Sequence, residues 1–150
     1  MISQGSTNHG TFGLVLCCID GRNIGPLQEW LKKNFPEIAH VDYVTAPGLD
    51  GILSGSIAGQ SASDRQMAIK TDAFVSLSHH HPQFVIVSGH EDCAGNPVSR
   101  ERHLEDIKKS VEAVRGWDEG FAALPIIGLY VERNGDEWVV GECVTGNAEA

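Results

Sequence analysis

Two short motifs contain the residues of this chain that could form one catalytic site. The first is CIDGR at 18–22 and the second is HEDC at 90–93. Two cysteines and one histidine are a zinc donor set with one coordination position left over, which is typical of catalytic zinc sites, whereas structural sites are closed by four protein ligands. We therefore predict that Cys18, His90 and Cys93 bind zinc, with water or a carboxylate at the remaining position.

Asp20 and Arg22 are the side chains placed to control that remaining position. Asp20 lies two residues from Cys18, so its carboxylate could bind the metal or accept a proton from water there. A bidentate pair with Arg22 would hold the carboxylate away from the metal and keep it ionised. Loss of the pair would free Asp20 to take the fourth position and shut the site.

Both motifs follow apolar runs that are typical of buried strands. Strands and helices alternate along the chain, and Asn134-Gly135 is a tight-hairpin signal. This order predicts an α/β fold: a mostly parallel four-stranded sheet flanked by helices, with a fifth antiparallel strand added by a C-terminal hairpin. The predicted strands are 12–19, 41–45, 84–88, 125–133 and 136–144, and the predicted helices lie near 27–35, 63–78 and 104–114.

The predicted topology also places the two motifs. Ligands of such sheets bind at the carboxyl ends of the strands, where the winding direction reverses. The motifs lie at the carboxyl ends of the first and third strands. If these strands are neighbours, the three predicted ligands converge.

Several expectations concern positions outside the motifs. The glycine-rich stretch 48–59 is expected to be an irregular loop with some helical turns, and Ser63 with Gln66 forms a capping box that would start the next helix. The three histidines at 79–81 suit a helix end better than a second metal site. His103 is expected on an exposed helix face.

The two remaining cysteines are predicted to be core residues. Strand alternation points Cys17 away from the side that Cys18 faces. Cys143, in the last predicted strand, is expected to be a small buried side chain.

Composition limits the class of protein. The chain has 150 residues and a net charge of -9, with 11 Lys and Arg against 20 Asp and Glu, which argues against a nucleic-acid partner. One domain over 1–150 is expected. We find neither a membrane span nor a secretion signal, and adjacent Cys17 and Cys18 favour reduced thiols over a disulfide framework, so we expect a soluble, cytoplasmic protein.

The motifs CIDGR at 18–22, SGHEDCAG at 88–95 and, more loosely, TAPG at 45–48 resemble those of the β-class carbonic anhydrases. The resemblance covers roughly 12–144 and is to the short members without an N-terminal arm. It implies Zn²⁺ held by Cys18, His90 and Cys93, with Asp20 and Arg22 as a gating dyad. It also implies a homodimer or a multiple of dimers, and reversible hydration of carbon dioxide to bicarbonate by a zinc hydroxide nucleophile.

The chain departs from the family pattern at Gly21, between the dyad residues, and in the stretch LDGILSG after Gly48. These departures concern the substrate pocket and leave the metal ligands intact. Related family members hydrolyse carbon disulfide or carbonyl sulfide, so a zinc hydrolase of those substrates is one alternative. A zinc-binding homologue with a closed, inactive site is another.

Overall fold

A single mixed sheet organises residues 10–144, the part of the chain that the computed structural model describes. Within this range the sheet has five strands in the order β2-β1-β3-β4-β5. Neighbours pair in parallel except β4 and β5, which are antiparallel. The predicted fold class is confirmed. The strands are β1 Phe12–Cys17, β2 His40–Thr45, β3 Val85–His90, β4 Ile126–Asn134 and β5 Glu137–Cys143.

Helices cover both faces of the sheet. One face packs against α1, and the other packs against the remaining four helices of residues 10–144. Each face therefore has its own apolar core, as expected for a largely parallel sheet. The helices are α1 Ile24–Asn34, α2 Leu49–Ser54, α3 Gln60–His80, α4 Arg100–Arg115 and α5 Glu119–Ala122. None of them is both long enough and apolar enough to cross a lipid bilayer.

Strand β1 lies between β2 and β3, and this position creates the site. All six of its residues are buried. Leu14 pairs with Asp42 of β2 on one side and with Val85 of β3 on the other. The chain thus winds outward to β2 and then crosses back to β3, so the winding reverses between β1 and β3. Cys17 is fully buried in the core on the α1 side, as its alternation predicts.

The stretch after Gly48 contains a short helix, in agreement with the helical turns predicted there. Helix α2 occupies Leu49–Ser54 and is flanked by Gly48 (φ 65°) and Gly55 (φ 86°), both in the left-handed region that favours glycine. Leu49, Ile52 and Leu53 face the core. The glycines that suggested a loop are the residues that begin and end this short helix.

Helix α3 begins at Gln60, so the capping box predicted at Ser63 was wrong. The Gln66 side chain instead donates to the carbonyl of Ile52 (2.7 Å) and ties α3 to α2. At the other end α3 stops at His80, and His81 adopts a left-handed conformation (φ 51°). The histidines therefore lie at a helix end, as predicted.

Two burial predictions were also wrong. His103 has no solvent exposure, because it shares the buried face of α4 with Ile107 and Val114. Cys143 is exposed, because within the described residues its strand β5 pairs only with β4 and forms an edge of the sheet.

Candidate metal centre

Cys18, His90 and Cys93 meet at the carboxyl ends of β1 and β3. One ligand atom from each lies within 4.8 Å of the others, and all three residues are buried. The two Sγ atoms are 3.9 Å apart. Cys18 directly follows β1, His90 ends β3, and Cys93 comes after a turn in which Asp92 is left-handed (φ 59°).

The ring of His90 is oriented by its own chain. Its Nδ1 lies 2.7 Å from the carbonyl oxygen of Glu91. A carbonyl can only accept, so Nδ1 carries the proton and Nε2 presents a lone pair. Nε2 is buried and has no hydrogen-bond partner among residues 10–144. Burial lowers the pKa of His90, but the neighbouring Cys18 sulfur, the Asp20 carboxylate and the Glu91 carbonyl outweigh it and leave the pKa raised. A buried nitrogen acceptor without a partner is an available ligand.

The two cysteine sulfurs lie within hydrogen-bond distance of each other. The hydrogen bond from Cys93 lowers the pKa of Cys18, and the same contact with burial raises the pKa of Cys93. The backbone N–H of Gly48 also donates to Cys18 Sγ (3.4 Å). The arrangement favours one thiolate before any cation binds.

Asp20 and Arg22 form a bidentate ion pair beside the three donors. Arg22 Nε donates to Asp20 Oδ1 (2.9 Å) and Nη2 donates to Oδ2 (2.6 Å). The Arg22 backbone N–H also donates to Oδ1 (2.9 Å). These bonds hold the pKa of the Asp20 carboxyl well below its usual range. Asp20 Oδ2 lies 4.0 Å from His90 Nε2, so the carboxylate is ionised and close to the donor set while it is held by the guanidinium.

A match to a known protein family covers nearly the whole chain. Residues 8–142 match a family model described as "Putative carbonic anhydrase". The chain belongs to this carbonic anhydrase family. This membership confirms the resemblance seen in the sequence and makes the chain an enzyme of the lyase class. No curated protein matches the chain.

Solved structures show that the chain has the fold of the β-carbonic anhydrases. The β-carbonic anhydrase isoform I of the protozoan Trichomonas vaginalis superposes with a TM-score of 0.52 at 16% identity, covering 87% of this chain and 82% of that one. A carbonic anhydrase from Glaciozyma antarctica gives 0.51 at 14% identity, covering 92% and 88%. At such identities the likeness concerns the fold alone.

The sequence did not indicate the residues that hold Arg22. Arg22 Nη1 donates to Asp92 Oδ2 (3.1 Å), and Nη2 donates to the Asp92 carbonyl (3.0 Å). The guanidinium carbon also lies 4.6 Å from the centre of the Trp138 ring, within cation–π range. In the sequence Asp92 stands out only as part of the HEDC motif, and nothing near Trp138 signals its contact with a residue on another element.

Proposed function

We propose that this chain catalyses the reversible hydration of carbon dioxide to bicarbonate, with zinc held by Cys18, His90 and Cys93. The observation that carries the proposal is the convergence of these donors around a buried, unpartnered His90 Nε2. We further propose that residues 1–150 form one domain, and that the free thiols of the described residues require a reducing compartment such as the cytoplasm.

The donor set fits zinc better than a hard cation. Two thiolates and one imidazole suit zinc, whereas magnesium and calcium prefer oxygen ligands. With Zn–S bonds of about 2.3 Å, two sulfurs of a tetrahedral site lie roughly 3.8 Å apart. The Sγ separation of Cys18 and Cys93, 3.9 Å, is close to this value. When bound, zinc acts as a Lewis acid that lowers the pKa of water enough to provide a nucleophile near neutral pH.

Asp20 and Arg22 are proposed to keep the remaining position open. Because Arg22 binds both carboxylate oxygens, Asp20 stays ionised and turned toward the guanidinium. It can then accept a hydrogen bond from water beside the donors and assist its deprotonation. Release from Arg22 would let Asp20 move toward the donor set and close the site. The ion pair therefore supports an active site with an open metal position over a closed, inactive site.

A homodimer, or a multiple of dimers, is the proposed assembly. Ile19 lies between the ligand Cys18 and the dyad residue Asp20, and 60% of its surface is exposed. Met67 and Val75 on α3 are similarly exposed. Apolar side chains beside a reaction site are well suited to contact with a second subunit. Light scattering with size-exclusion chromatography measures the mass directly, and a monomer at micromolar concentration would reject this proposal.

The metal centre is tested by a matched pair of cysteine variants. We expect one zinc per chain, measured by elemental analysis, in the wild type. Cys93→Ser should lose the zinc, because an alcohol is a poor replacement for a thiolate ligand. Cys143→Ser makes the same chemical change at an exposed strand position and should keep it. Full zinc retention in Cys93→Ser would reject the site.

The reaction is tested by stopped-flow hydration of carbon dioxide on the zinc-loaded protein. Turnover above the buffer rate in the wild type and in Cys143→Ser, but not in Cys93→Ser, is expected. Hydrogen sulfide release from carbon disulfide or carbonyl sulfide, without carbon dioxide hydration, would reassign the substrate. A zinc-loaded protein that turns over none of these would be a binding protein only.

A further inference from the structure

Close to the ligands lies a group of polar side chains with almost no solvent exposure. Asp50 of α2, Asn96 of the loop after Cys93, and Asp106 of α4 are all at least 98% buried. The Asn96 amide nitrogen donates one hydrogen to Asp50 Oδ1 (3.2 Å) and the other to Asp106 Oδ2 (3.0 Å). We call Asp50, Asn96 and Asp106 the buried bracket, because one amide joins two helices to one loop.

The other carboxylate oxygens of the bracket are also bonded. His103 Nδ1 contacts Asp50 Oδ2 (2.7 Å), and Ser56 Oγ donates to Asp106 Oδ1 (2.5 Å). Buried carboxylates are costly unless their oxygens are bonded, and a satisfied network holds its members in one geometry. This degree of satisfaction indicates that the chain maintains a defined position for the Asn96 loop.

The loops joined by the bracket also contact the metal donors. Gly48, which precedes α2, packs so closely on Gly95 that a Cβ on it would lie 2.5 Å from the Gly95 carbonyl carbon. The Gly48 N–H donates to Cys18 Sγ (3.4 Å). Gly95 and Asn96 follow Cys93 by two and three residues, so the bracket holds the short loop that carries this sulfur. Cys18 therefore receives a backbone N–H bond from one loop that the bracket fixes, and Cys93 precedes the other loop.

A third contact reaches the strand that carries the histidine ligand. The Asp50 carboxylate lies against Gly89, where a Cβ would come within 2.5 Å of Oδ2. Gly89 directly precedes His90 in β3. The bracket thus contacts the residue before His90 and fixes the loops that adjoin Cys18 and Cys93, although none of its side chains bonds to a ligand atom in the described contacts.

We infer that the buried bracket positions the two thiolates and the histidine strand for metal binding, so that Asp50, Asn96 and Asp106 are positioning residues. N–H bonds to sulfur stabilise the thiolate form that binds a metal, and outer partners of this kind orient metal ligands. The inference rests on the proposed metal centre and adds residues that set its affinity. Asn96 is its central member, because its side-chain amide bonds both carboxylates and it lies three residues from Cys93.

The test is zinc affinity, measured by competition with a chelator of known affinity. Asn96→Ala removes both bracket hydrogen bonds and should weaken zinc binding about 10- to 100-fold. The thiolate-to-metal absorption of the cobalt-loaded protein should also shift or weaken, because the sulfurs are less well positioned. Ser110→Ala is the matched control: Ser110 Oγ donates to the Asp50 carbonyl (3.0 Å), so its loss leaves the bracket contacts in place. Its zinc affinity should stay within about twofold of wild type.

Circular dichroism shows first whether each variant is folded. If folded Asn96→Ala binds zinc within about twofold of wild type, or if Ser110→Ala loses as much affinity, the inference is rejected. Should Asn96→Ala not fold, Asp50→Asn decides by the same criterion, because it keeps the side-chain volume and removes the charge. A wild type that binds no zinc rejects the metal centre itself. A wild type that binds zinc but does not hydrate carbon dioxide rejects only the proposed reaction.

Discussion

Removal of the Arg22 guanidinium should shift the site toward its closed form. Arg22 makes two charge-assisted side-chain hydrogen bonds to Asp20, and each such bond contributes about 1.5–3 kcal/mol when well shielded. The Arg22 side chain is 38% exposed, so solvent screening reduces the pair to about 1.5–2 kcal/mol. At about 1.4 kcal/mol per factor of ten, Arg22→Ala should lower kcat/KM roughly 10- to 30-fold.

The assay is stopped-flow carbon dioxide hydration together with zinc content, which should be unchanged. Arg133→Ala is the matched control, because it removes an exposed arginine that lies near the same Trp138 ring. Arg133 makes no ion pair within residues 10–144. In the double variant Asp20→Asn with Arg22→Ala, the loss of transition-state free energy should be smaller than the sum of the losses in the two single variants, because both changes break the same ion pair. If Arg22→Ala keeps its zinc and stays within about twofold of Arg133→Ala, the gating argument is refuted.

Three further predictions follow from single contacts. Trp138→Leu removes the ring that stacks on Arg22 and should lower kcat/KM about two- to fivefold. Trp138→Phe keeps an aromatic face and should retain most of the wild-type kcat/KM. Equal losses in both variants would contradict this prediction. Gly48 has a positive φ and packs against the main chain of Gly95, whereas Gly55 has a positive φ but open space around it. In denaturant titrations Gly55→Ala should lower the free energy of unfolding by about 1–2 kcal/mol, and Gly48→Ala should lower it by more. Burial raises the pKa of Tyr130 to about 12. Between about pH 10 and pH 12 this phenol therefore ionises readily only in the unfolded chain, so the free energy of unfolding should fall over this range. Tyr130→Phe should lessen that fall.

The fold was predictable because its signals are local. Apolar runs mark the buried strands, and the Asn134-Gly135 turn predicts that the last two strands are antiparallel. The alternation of strands and helices then restricts the topology, since parallel crossovers have one preferred hand. The bounds of the helical part were not predictable where one local signal has two structural causes. The glycines at 48 and 55 indicate a loop, yet they flank helix α2 in conformations that glycine adopts easily.

Polar residues in the core were not predictable in the same way. His103 lies on the buried face of α4 with Asp106, Ser110 and the apolar residues of that face. Hydrophobic periodicity assigns such positions to solvent, because the pattern records apolar side chains alone. Their burial is stable only because partners on other elements satisfy them, as Asp50 does for His103 across 53 positions of sequence.

The sequence by itself determined the types of the donors and their placement at two strand ends, because residue chemistry and strand alternation are properties of short segments. The tertiary structure decided that Cys18, His90 and Cys93 lie within 4.8 Å of one another, since this depends on β1 and β3 being neighbours. It also decided which residues support them: the ring of Trp138 on Arg22 and the amide of Asn96 between two buried carboxylates. These contacts join residues far apart in the chain and follow no period, so they exist only once the sheet and its helices have packed.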